Sequence, residues 1–75
     1  MKKKISIVTP CFNEERGIRE CYEKIKSIMD LELPSYNREH LFCDNSSTDR
    51  TLEILREIAA NDKSVKVIVN SRNFG

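Results

Sequence analysis

An alternation of two hydrophobic periods constrains this chain more than any other feature. Three short runs rich in β-branched and aromatic residues read as strands: Ile5-Ser6-Ile7-Val8-Thr9, a segment from about Glu39 to Cys43, and Val65-Lys66-Val67-Ile68-Val69. Between them lie two stretches of helical spacing. In the first, Ile18, Cys21, Tyr22, Ile25, Ile28 and Met29 fall on one face. In the second, Leu52, Leu55, Ile58 and Ala59 form a stripe that Ile54 broadens. The order is therefore βαβαβ. Strands joined by crossover helices are parallel, and the crossovers are right-handed.

Punctuation fits these boundaries. Pro10 is expected to stop the first strand, and the first helix should fade near Asp30–Leu33, before Pro34. Asn13 offers an N-cap, with Glu14 and Glu15 in the first turn, where the positive end of the helix dipole favours acids. Pro34-Ser35-Tyr36-Asn37-Arg38 reads as a loop. Ser46 or Ser47 can cap the second helix, and Ser46-x-x-Asp49 has capping-box spacing with Asp in place of Glu or Gln. That helix should end near Asn61-Asp62.

A parallel sheet needs cover on both faces, and two helices over three strands leave it thin, with an unprotected edge. A chain of 75 residues buries only about 60% of its unfolded surface. Residues 1–75 therefore read as the first part of one larger α/β domain, and self-association through the exposed sheet edge is an expected consequence of its incompleteness.

The charge balance, 13 basic against 12 acidic residues, argues against nucleic acid as a partner. The basic run Lys2-Lys3-Lys4 reads as a solvated tail. The apolar residues after it are too few for a signal peptide, which needs roughly 7–15. No segment approaches the ~20 apolar residues of a membrane span. The expected location is cytoplasmic, either free or at the cytosolic face of a membrane. Cys11, Cys21 and Cys43 form no CxxC pair, and the single His40 completes no zinc pattern, so reduced thiols are expected. Cys11 has no histidine nearby in sequence to activate it as a nucleophile.

In open parallel sheets, ligands bind beyond the carboxyl ends of the strands. Three polar loops meet at that edge: Pro10–Glu14, Asp44–Thr48 and Asn70–Gly75. The GxGxxG and GxxxxGK[ST] phosphate motifs are missing, and the glycines are Gly17 and Gly75. Recognition at this edge would instead use an aromatic ring, Phe12, with the carboxylates and amide of Glu14, Asp44 and Asn45. Turn and capping chemistry is the competing reading of Asp44–Asp49. For Phe12 it is a core aromatic, and for Glu14 a first-turn acid.

Three blocks in order carry a resemblance: Ile5-Ser-Ile-Val-Thr-Pro-Cys-Phe-Asn-Glu-Glu15, Cys43-Asp-Asn-Ser-Ser-Thr-Asp-Arg-Thr51 and Ser71-Arg-Asn-Phe-Gly75. The chain resembles the start of a family 2 glycosyltransferase, which typically shows P-x-Y-N-E, then D-D-G-S-x-D-x-T, then S-R-N-x-G. The likeness is closest to polyprenyl-phosphate and cell-surface polysaccharide sugar transferases. It implies a GT-A fold, a Rossmann-like nucleotide-sugar domain. It also implies transfer of a sugar from a UDP-, GDP- or dTDP-linked donor to an acceptor of unknown identity, in cell-surface polysaccharide or lipid-linked glycan synthesis. Mg²⁺ or Mn²⁺ would bridge the diphosphate.

Carried over by position, Pro10 and Phe12 match the loop that packs on the base, with Phe where Tyr is usual. Glu14 matches the acid near the ribose. Asp44 and Asn45 match the paired acids, with an amide in the second place, and Ser46 replaces the usual Gly. Arg72 is a candidate phosphate contact. The resemblance places the metal-binding D-x-D and the catalytic base beyond Gly75, so neither catalytic nor metal-binding residues are expected within these 75, which alone should be inactive. The alternative is a non-catalytic α/β nucleotide-binding or interaction module. A receiver domain would need acids after strand one and an Asp ending strand three, where Thr9-Pro10 and Val69-Asn70 stand instead.

Overall fold

The computed structural model describes residues 3–70. The elements run β1 (Lys4–Cys11), α1 (Ile18–Glu32), β2 (Asn37–Asn45), α2 (Thr51–Asn61) and β3 (Val65–Asn70). The strands form one parallel sheet in the order β1-β2-β3. This is the α/β, Rossmann-like βαβαβ arrangement expected of the first part of a GT-A domain.

Two right-handed crossovers that step across the sheet in one direction leave both helices on one face. Burial alternates accordingly. In β2, His40, Phe42 and Asp44 are buried while Leu41 and Cys43 are half-buried. The core is a single cluster of Cys11, Ile18, Tyr22, Phe42, Leu55, Ile58 and Val65, with Ile54, Ala59 and Val67 packed against it. On the opposite face Val8 and Ile68 are exposed at 58% and 44%. Among the described residues no helix is long and apolar enough to cross a membrane.

Several boundaries and faces differ from the sequence expectation. Pro10 lies inside β1 rather than ending it. β1 is an edge strand, and an edge strand tolerates a residue without an N–H. β2 is longer than expected and takes in Asn37 and Arg38, because Asn37 N–H already donates to Lys3 C=O at 2.8 Å. The apolar stripe of α1 is only partly inward. Ile18, Tyr22 and Met29 are buried, but Ile28 is 54% exposed and Cys21 and Ile25 are half-buried. They flank an open groove of about 460 Å³ along the helix.

His40 is inside the sheet, 3% exposed. Its Nε2 lies 2.9 Å from Thr9 Oγ1, and its ring sits on that of Phe42 at 3.9 Å between centroids. Burial pulls its pKa below the ordinary 6.5, against the opposing pull of the Asp62 carboxylate.

Candidate functional site

Parallel pairing sets the floor of the carboxyl edge. Cys11 pairs with Asp44, Asp44 with Val69, and Asn45 with Asn70. The loops after β1 and β2 therefore leave the sheet side by side, and each satisfies the other's backbone. Asn13 N–H donates to Ser47 Oγ at 2.9 Å, Glu14 N–H to Thr51 Oγ1 at 2.7 Å and Glu15 N–H to Asp49 Oδ2 at 3.2 Å. In return Thr48 N–H donates to Asn13 Oδ1 at 2.7 Å, and Arg50 N–H donates to Glu15 Oε1 at 3.3 Å.

This cross-capping corrects the expected caps. Asn13 does not cap α1, whose N-cap position is Gly17 without a side-chain bond. A backbone turn leads into that helix instead, with Gly17 and Ile18 N–H both donating to Glu14 C=O. Neither Ser46 nor Ser47 caps α2, whose N-cap position is Arg50. Ser47 is turned to Asp44 and Asn13, and Asp49 holds the start of the helix by accepting from Thr51 N–H and Oγ1. Orphan N–H groups at helix starts take any well-placed oxygen, and here the neighbouring loop supplies them.

The residues singled out by sequence fall into distinct settings. Phe12 is 53% exposed, which rules out the core reading of its ring. Pro10 and Glu14 are also exposed. Asn45 is exposed and accepts from Asn70 Nδ2 at 2.9 Å. Asp44 is 1% exposed and faces the helix side, where its carboxylate accepts from Ser47 N–H at 3.2 Å and from Ser47 Oγ. It thus performs turn chemistry, and about half of a carboxylate's acceptor positions remain for another donor. Arg72, Phe74 and most of the third loop lie outside the described residues.

Ser46, where the resembling family carries Gly, adopts φ 59 and donates its hydroxyl to Asn70 C=O at 2.6 Å. Asn13 is the other non-glycine residue in the left-handed region, at φ 49. Among the described residues no buried side-chain N or O lacks a partner, so the cluster is fully organised by its own contacts.

Sequence reasoning assigned Asn13, Ser47 and Asp49 to caps of their own helices rather than to a latch between loops, and gave Thr51 no role. Thr51 is wholly buried, though its place in a polar run suggests a surface. The available signal was the density of short acceptor side chains in both loops, the residue types that bond nearby backbone.

Electrostatics narrow the chemistry. Burial, helped by Glu14, pushes the Cys11 thiol up to about 12, so it stays protonated and cannot act as a thiolate. Partial desolvation raises the Asp49 carboxyl, but the bonds from Thr51 and Glu15 N–H outweigh it and hold the group below its ordinary value. Asp49 is thus a firmly ionised acceptor. Among the described residues no cluster of three or more His, Cys, Asp or Glu could hold a metal ion. The arrangement can grip a planar ring and hydrogen-bonding groups, and its described residues do not supply the donor set of a metal centre.

Known proteins match this chain along nearly its whole length. The profile of glycosyl transferase family 2 matches residues 6–75. An uncharacterized glycosyltransferase of Bacillus subtilis (strain 168), YkcC, is 49% identical over 70 residues, covering 93% of this chain and 21% of that protein. A prophage bactoprenol glucosyl transferase homolog of Escherichia coli (strain K12) is 39% identical over 72 residues, covering 96% of this chain and 23% of its own. A Methanococcus voltae dolichyl N-acetyl-alpha-D-glucosaminyl phosphate 3-beta-D-2,3-diacetamido-2,3-dideoxy-beta-D-glucuronosyltransferase is 36% identical over 70 residues, covering 91% and 21%. The chain spans about a fifth of the length of these relatives. A βαβαβ sheet with this loop pair at its carboxyl edge, matched by that family over residues 6–75, leads to one conclusion: the chain belongs to glycosyl transferase family 2.

Proposed function

We propose that residues 1–75 form the donor-nucleotide half-site of a GT-A glycosyltransferase domain. The observation that carries this reading is the exposed Phe12 ring on a loop latched to the Asp44–Thr51 segment at the sheet's carboxyl edge. Phe12, with Pro10 beside it, stacks on the base of a UDP-, GDP- or dTDP-sugar. Glu14 takes a ribose hydroxyl. Asn45 offers the base an amide, and Asp44, buried beneath the edge, serves the nucleotide pocket by holding Ser47 and the β2 loop in place. Arg72 is assigned a phosphate.

The larger enzyme to which this half-site would belong transfers the sugar to a polyprenyl-linked acceptor at the cytosolic face of a membrane. Two relatives' names support that acceptor class: one is a bactoprenol glucosyl transferase homolog, and the other's name contains a dolichyl sugar phosphate. A bound Mg²⁺ or Mn²⁺ would offset charge on the departing diphosphate. No side-chain cluster among the described residues fits that ion.

Calorimetric titration with UDP, GDP and dTDP in the presence of Mn²⁺ tests the reading. One of the three should bind, and Phe12→Ala should weaken it about tenfold or more, the usual loss of a base–aromatic stack. Equal affinity of the Phe12→Ala protein would remove the stacking role. The absence of binding by all three would remove the half-site.

A further inference from the structure

The turn between the two candidate ligand side chains, Phe12 and Glu14, is built on Asn13. Its φ of 49 lies in the left-handed region, which Asn, Asp and Gly enter more readily than other residues. From that conformation its Oδ1 accepts from Thr48 N–H at 2.7 Å, Thr48 Oγ1 at 3.3 Å and Asp49 N–H at 3.3 Å. Its own N–H donates to Ser47 Oγ, and Ser47 Oγ in turn donates to Asp44. One residue thereby ties the backbone of the β1 loop to the β2 loop from both its main chain and its side chain.

The consequence for the neighbours is geometric. Phe12 is large and apolar, yet its ring stands 53% exposed. A backbone reversal at Asn13, pinned on the far loop, holds it there. We propose that Asn13 is a positioning residue for the nucleotide half-site. It touches no ligand. It fixes the Phe12–Glu14 backbone against Thr48 and Asp49 before ligand arrives, so that binding does not have to order the loop. What is positioned rests on the donor-nucleotide reading above; the cross-loop tie does not.

Asn13→Gly separates the side chain from the backbone requirement, because glycine keeps the left-handed φ and loses the acceptor. Asn13→Asp keeps both. Two readouts are compared with the unsubstituted protein: solvent exchange of the Thr48 and Asp49 amides by NMR, and affinity for UDP, GDP and dTDP with Mn²⁺. Asn13→Gly should speed exchange at those two amides about tenfold. It should bind the preferred nucleotide about tenfold more weakly at an unchanged melting temperature. Asn13→Asp should recover most of both.

Unchanged exchange and affinity in Asn13→Gly would overturn the proposal. So would an affinity loss that follows the melting temperature and that Asn13→Asp does not repair. If the unsubstituted protein binds none of the three nucleotides, the donor reading fails, and unaltered exchange at Thr48 and Asp49 would then overturn the cross-loop tie on its own.

Discussion

Ser46 shows how one residue reports on backbone and side chain separately. Its left-handed φ disfavours an L-residue by roughly 1–2 kcal/mol, while its hydroxyl bond to Asn70 C=O returns about 1 kcal/mol. Ser46→Ala keeps the strain and loses the bond, so it should be about 1 kcal/mol less stable by urea denaturation. Ser46→Gly loses the bond but relieves the strain, and should stay near the parent. The reverse order would show that the turn is not left-handed. Thr51 is a sharper case. Its buried Oγ1 accepts from Glu14 N–H and donates to Asp49. Thr51→Val keeps the shape and strands a backbone donor, at a cost of about 1–3 kcal/mol in the same measurement. The Asp49 carboxyl should also titrate higher, a change that NMR would read directly.

At the scale of elements, the βαβαβ order and the parallel sheet were legible because the hydrophobic periods are distinct. Ile5–Thr9 and Val65–Val69 are short runs dominated by β-branched residues, and Leu52–Ala59 recurs with period near 3.6. The caps were not legible. Asn13, Ser46 and Ser47 have the chemistry of N-caps, but pairing of Cys11 with Asp44 brings a second loop within reach, and the oxygens go across rather than along the chain. That choice is set by tertiary register, which local spacing does not contain. The outward flank of α1 escaped for a similar reason. Cys21, Ile25 and Ile28 share the helical period with Ile18 and Tyr22, yet α2 covers only part of that arc. Leu55→Ala should therefore cost about 2–5 kcal/mol and Ile28→Ala no more than about 0.5 kcal/mol in thermal or urea unfolding. Comparable losses would mean that Ile28 is buried in the folded protein. Among the candidate site residues, the exposure of Phe12 fits its loop position, and that of Asn45 its place as the last residue of β2. The burial of Asp44 does not follow from sequence, because strand parity turns it toward the helices.

For the molecule as a whole, pH ties the core to the loops. His40 is buried and its pKa is depressed, so the folded state takes up a proton less readily than the unfolded chain. Its contribution is full above pH 6.5 and is lost as pH falls through the folded value, with a slope of at most ~1.4 kcal/mol per pH unit. The depressed carboxyls of Asp49 and Asp62 contribute above their ordinary 3.8 and are lost below it, as pH falls through their folded values. Unfolding free energy measured against pH should therefore begin to fall near pH 6.5, and His40→Phe should flatten that upper limb while leaving the lower one. A parent profile flat down to the carboxylate range would place His40 in water. The donor half-site itself is most directly tested by NMR chemical-shift perturbation on the ¹⁵N-labelled protein, titrated with UDP, GDP and dTDP in the presence of diamagnetic Mg²⁺. One nucleotide should produce shifts concentrated at Phe12, Asn13, Glu14, Asp44 and Asn45, with the strand ends of β1 and β2 following. A folded protein in which none of these amides moves for any of the three, or in which the shifts gather along α1 instead, would contradict the donor half-site.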